Sequence, residues 1–169
     1  MKAAAIVLAV GAALALQTTL LARYAWGTVA LDLVLVVVVY VALTSGPVTG
    51  LLTGTFAGLI QDALATGVIG IGGLAKTLVG FLAGIIGTQF IVAQPVPRFC
   101  VFFGATLVHA VVFIGLYTLL DLRHFGAPYA AVAGQAAGNA AVGVVAFQLV
   151  EFLPGAVERR RAAKGRIRR

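Results

Sequence analysis

The sequence predicts an all-α integral membrane protein, a bundle of six transmembrane helices. Three observations carry this. First, its 169 residues are 62% hydrophobic and only 10% charged, with a mean hydropathy of +1.09. Soluble domains are about 45–50% apolar and about 25% charged, and a chain this short cannot enclose so much apolar surface away from water. Second, the charges are widely spaced. The uncharged runs are Ala3–Ala22, Leu33–Gln61, Ala63–Ala75, Thr77–Pro97, Phe99–Leu120 and Phe125–Val150, and about 20 apolar residues suffice to cross a hydrocarbon core of roughly 30 Å. Third, the runs lack the period-two alternation of a lipid-facing strand. Helices satisfy their own backbone in lipid.

The elements follow in order. Helix one is expected over 3–23. Its apolar run is longer than a signal-peptide core and lacks a clean Ala-x-Ala-like site, so it reads as a span. The run Leu33–Gln61 is too long for one helix. It divides at Ser45-Gly46-Pro47, because proline has no amide hydrogen to continue a helix, and so yields helices two (29–45) and three (47–64). Gly70-Ile71-Gly72-Gly73 lacks the lysine and hydroxyl of a phosphate loop and reads as a turn. Helix four is expected over 69–92 with Lys76 inside it, helix five over 98–120 and helix six over 128–153. The transmembrane domain then covers 1–155, and 156–169 form a basic tail.

Arg159, Arg160, Arg161, Lys164, Arg166, Arg168 and Arg169 place that tail in the cytoplasm by the positive-inside rule. Six spans put Lys2 and Arg98 on the same side and Arg23 and Arg123 outside. Nine basic residues against two thus favour an even number of spans, with both termini cytoplasmic. The tail has no interleaved aromatic residue, so it reads as a topology signal touching anionic lipid and not as a nucleic-acid site. The single cysteine, Cys100, excludes an intrachain disulfide and a cysteine-based metal site. No nucleotide loop, metal-ligand spacing or nucleophile–base pair is present. Neither a catalytic residue, a cofactor nor a metal is expected. His109 reads as a hydrogen-bonded interior group, and His124 falls in an outer loop.

Two sets of residues stand out. Gly46, Gly50, Gly54 and Gly58 recur every four positions, forming a smooth ridge on helix three; Gly80 and Gly84 on helix four and Gly134 and Gly138 on helix six repeat the device. Small residues let membrane helices approach closely. Packing between neighbouring helices is the first reading, and contact with a partner helix the second. The intramembrane polar residues are Asp32, Asp62, Lys76, His109, Gln135 and Asn139. Asp62 and Lys76 lie at similar depth on the two arms of one hairpin, so they are expected to pair. Asp32 and Arg23 are candidates for a second pair, both pairs being structural rather than transporting. Gln135 and Asn139, four apart, share a face, and Asn139 reaches toward the centre.

These residues carry a family resemblance. Asp32 opening an apolar helix, Gly46-Pro47 at a tight turn, Gly50, Gly54 and Gly58 followed by Leu59-Ile60-Gln61-Asp62, then Gly70 and Gly80-Phe81-Leu82-Ala83-Gly84, resemble the rod shape-determining MreD family. Length, helix count and basic tail agree; helices five and six agree in hydropathy only. The resemblance implies a fold similar to the S components of energy-coupling-factor transporters. It implies a non-enzymatic role in the elongation machinery of rod-shaped bacteria, in the inner membrane. The implied partners are an MreC-like bitopic protein and, indirectly, MreB-like filaments and cell-wall synthases. Lys76 is not part of the family pattern. The alternative is an S component of a vitamin transporter, which the glycine ridges also suit. Its weakness is that the outer loops offer little beyond Tyr24, Trp26 and Tyr129 to shape a ligand pocket.

Overall fold

The computed structural model describes residues 2–21, 31–65, 67–90, 94–122, 126 and 128–166, with the side chains of 2, 20–21 and 153–166 not described. Arg23, Tyr24, Trp26, Arg123, His124 and the side chains of Lys2 and of the basic tail therefore lie outside the described part of the molecule. Among the described residues there are six helices and no strand.

α1 runs Lys2–Leu16 and ends in a π-helical turn, Gln17–Leu21. Thr18 and Thr19 donate their hydroxyls back to the carbonyls of Leu14 and Ala15, a local bond that competes with regular helix geometry. α2 covers Leu33–Ser45. It is rich in valine and apolar all round, which marks a helix surrounded by protein. It contacts all five of the other helices, and Val34, Leu35, Val38, Val39 and Ala42 are fully buried. At 1.5 Å per residue its 13 residues reach only about 20 Å.

Gly46 joins α2 to α3. Its φ of 89° with ψ of 176° belongs to a region open essentially to glycine alone. Pro47 follows at the first position of α3, where its missing amide hydrogen costs nothing, and α3 continues to Leu64. α4 spans Ile71–Gln89 and packs antiparallel along α3. Gly84 lies against Pro47, Gly50 and Gly80 against each other's carbonyl, Gly54 against the Lys76 carbonyl and Gly58 against Gly73. A Cβ at Gly50, Gly54, Gly58, Gly80 or Gly84 would overlap backbone of the other helix. Thr55 and Thr77 add a hydroxyl–hydroxyl bond of 2.8 Å across the seam. Gly46, by contrast, would meet only the Thr88 methyl at 3.9 Å. It sits at the turn, where its own backbone lies against Gly84.

α5 covers Pro95–Leu119 and α6 Tyr129–Arg166. Both depart from expectation. Arg98, read as a loop charge, sits in the first turn of α5 and is buried. The reason is Pro95, which starts the helix three residues earlier than the charge pattern suggested. α6, expected to stop at 153, continues through Arg166 because the alanines, arginines and Glu158 beyond Pro154 are strong helix formers. Gly138 of α6 faces the Leu31 side chain, and Gly134 is half-buried.

The outside of the bundle is apolar. Val7, Phe56, Val96, Val111 and Leu119 are each at least 65% exposed. Asp32, Lys76, Arg98, His109 and Asn139 are buried. Charge within and hydrocarbon without is the pattern of a protein dissolved in lipid. Among the described helices, α4, α5 and the Tyr129–Phe152 part of α6 are long and apolar enough to cross a membrane, while 3–19 and α2 are apolar but shorter.

Candidate functional site

The polar residues picked out from the sequence converge where the start of α2 meets α4, α5 and α6. Asp32 caps α2, its Oδ1 accepting from the Leu35 amide at 2.9 Å, a bond that satisfies one of the open donors at a helix start. Its other oxygen, Oδ2, pairs with the Lys76 ammonium at 2.8 Å. Lys76 comes from the second turn of α4. On its other side it lies 3.2 Å from His109 Nε2 of α5. An ammonium has no lone pair, so it donates here, and His109 is the neutral tautomer protonated on Nδ1. The Asp32 backbone amide donates to Asn139 Oδ1 of α6 at 3.0 Å, and Asn139 Nδ2 donates to the Thr106 hydroxyl at 3.3 Å. Four helices are thus tied through one buried ion pair and its surroundings.

The expected Asp62–Lys76 pair is not formed. Asp62 follows Gly58 by four residues and so continues the strip that faces α4. It meets the first turn of α4, where its Oδ2 accepts from the amides of Gly70 and Gly73 at 2.8 and 3.0 Å. Those amides and the positive end of the helix dipole serve as its counter-charge. Lys76 presents its carbonyl to α3 and its side chain to α2, which is why a partner much further back in the chain wins. The proposed Asp32–Arg23 contact lies outside the described residues, and the Asp32 carboxylate is held by Lys76. Gln135 lines the cavity beside the Asp32–Lys76–His109 triad.

Three participants escaped the sequence reading. Gln17, in the π turn of α1, accepts from the Val34 amide at 3.3 Å; Thr106 completes the Asn139 link; and Gln61 lines the same cavity as Gln135. All three are uncharged, so the spacing of charges does not mark them.

A second polar contact holds the other end of the bundle. Arg98 makes a two-pronged bond to Glu151 of α6, at 2.9 and 2.5 Å, and its guanidinium lies 4.2 Å from the centre of the Phe147 ring. Arg98 is buried while Glu151 is half exposed. The two truncations should therefore differ. Glu151→Ala takes the carboxylate from a buried cation, whereas Arg98→Met leaves a carboxylate that water can reach. Thermal unfolding in detergent should show the larger loss for Glu151→Ala, and the reverse order would contradict the burial of Arg98.

A helical bundle with an apolar exterior and a paired polar centre defines an integral membrane protein whose described buried ionisable residues join helices. Over residues 3–153 the chain matches the family described as rod shape-determining protein MreD, and it belongs to that family. Its role therefore lies in rod shape determination. No curated protein and no solved structure matches it, so the likeness to transporter S components expected from the family has no support from a solved fold.

Proposed function

We propose that this protein is a non-catalytic scaffold of the complex that keeps rod-shaped bacteria growing as cylinders. It sits in the cytoplasmic membrane, binds an MreC-like bitopic protein, and through it helps to organise MreB-like filaments and the cell-wall synthases. The family match across 3–153 carries this reading. The geometry is in keeping with it, since the buried Asp32–Lys76 pair joins α2 to α4. Co-purification from native membranes followed by mass spectrometry tests it. A single-span partner with a coiled-coil ectodomain is expected, and repeated capture of a transporter ATPase module instead would overturn the scaffold reading.

The same reading has six spans and both termini in the cytoplasm. The nine-to-two distribution of basic residues supports this. The shortness of α2 is compatible with it, because a helix enclosed by five others does not have to match the bilayer thickness on its own. A phosphatase that works only outside the cytoplasm, fused after Arg169, should be inactive, and a fluorescent reporter that matures only inside should be bright. Phosphatase activity at that end would reject the six-span topology.

A further inference from the structure

Beside the Asp32–Lys76–His109 triad lies a cavity of about 360 Å³, between the end of α1, the start of α2, the α3–α4 turn and the facing parts of α5 and α6. That is within the range of small-molecule sites, roughly 300–1,000 Å³. Its wall is electrically balanced. Asp32 is paired with Lys76, the Asp62 carboxylate is held by the Gly70 and Gly73 amides, and His109 is neutral. The hydrogen-bonding groups of the wall are not all used. With Nε2 accepting from Lys76, the ring proton of His109 is on Nδ1, and that N–H meets no acceptor among the described residues. The Gln135 amide makes no hydrogen bond among them either. Among the described residues, the enclosed side-chain polar atom without a partner is Gln61 Oε1. The His109 N–H and the Gln135 amide are therefore not enclosed, and both residues line this cavity. They also stand level with each other. The Arg98–Glu151 and Thr106–Asn139 bonds make α5 and α6 antiparallel. His109 is about one turn beyond Thr106, and Gln135 about one turn before Asn139.

We propose that this cavity binds a small neutral molecule that carries a carboxamide on an apolar body. The carboxamide oxygen accepts from His109 Nδ1, its N–H donates to the Gln135 side-chain oxygen, and the apolar body lies against Leu31, Phe113 and Val132, which line the same space. A balanced wall has no spare counter-charge for a cation or an anion, and bringing either out of water unpaired is costly. An amide offers acceptor and donor together without charge, which is what the two open groups require. The site is separate from the glycine seam and does not require the partner protein.

The test uses the full-length protein in lipid nanodiscs and isothermal titration with benzamide, benzoate and benzylamine at neutral pH. Benzamide should bind saturably, one per chain, and each charged probe at least about tenfold more weakly. Gln135→Met keeps the size and removes the amide. It should weaken benzamide binding about tenfold. Thermal stability should be unchanged, because the half-buried Gln135 makes no hydrogen bond among the described residues. Should Gln135→Met fold poorly, Val132→Trp, which fills the cavity from the half-buried side of α6, should abolish benzamide binding. Absence of saturable benzamide binding means that water alone fills the space, and it overturns the proposal. So does equal or tighter binding of a charged probe, or benzamide affinity that neither substitution lowers.

Discussion

Lys76→Met alone is expected to abolish accumulation of folded protein, while the double variant Asp32→Asn/Lys76→Met is expected to accumulate. The single change leaves the Asp32 carboxylate buried among α2, α4, α5 and α6 with no counter-charge, since Lys76 is its ion-pair partner. Breaking a buried pair from one side costs about 3–5 kcal/mol, a large share of the roughly 5–15 kcal/mol that holds a domain together. The double variant removes the charge from both sides, and an asparagine oxygen still caps the Leu35 amide. The helix start and the Asn139 bond to the Asp32 amide are then preserved. His109→Phe serves as a milder companion, because the ammonium keeps Asp32 and the new ring can stack on Phe113 as the imidazole does at 5.7 Å. Yield and thermal unfolding of Lys76→Met, Asp32→Asn, the double variant and His109→Phe, each against the wild type, check this. If the double variant is as poor as the sum of Lys76→Met and Asp32→Asn, the pair makes no joint contribution and the network has been misassigned.

The architecture was legible because its signals are local. Uncharged runs gave the number of helices, and Pro47 after Gly46 marked the α2–α3 boundary, since both act through backbone geometry at one place in the chain. The partners of the charges were not legible in the same way. Depth can be read along a helix, and Asp62 and Lys76 do lie near one end of the same hairpin. Direction around the helix depends on which faces touch. Once Gly50, Gly54 and Gly58 press against α4, Asp62 is turned to the amides of Gly70 and Gly73, and Lys76 is turned away toward α2. Arg98 was misplaced for a related reason. A charge at the end of an apolar run reads as a loop, yet a carboxylate 53 residues onward and an aromatic ring allow it to be buried. The polar pattern contained all members of the triad but no rule for matching them.

The glycine seam leads to the other large effect. Gly54→Leu is expected to destroy the fold whether or not a partner is present. Gly54 lies against the backbone carbonyl of Lys76, so even the first carbon of a side chain overlaps an atom that cannot rotate away. Relief requires α3 and α4 to separate. Separation would open the neighbouring contacts at Gly50, Gly58, Gly80 and Gly84, and also withdraw Lys76 from Asp32. In lipid, close packing of this kind is a principal source of attraction between helices. The loss should therefore reach or exceed the upper end of the ~1–3 kcal/mol typical of overpacked cores. Gly104 supplies the contrast. It lies on α5 beside an apolar groove between α4 and α5, and an added Cβ there meets nothing. Gly104→Leu should leave expression and thermal unfolding unchanged. Comparing the two separates glycines that hold the molecule together from glycines that merely face outward. A Gly54→Leu protein that unfolds at the wild-type temperature, yet no longer captures its partner, would move the seam from the interior of the bundle to the partner interface and contradict the α3–α4 packing.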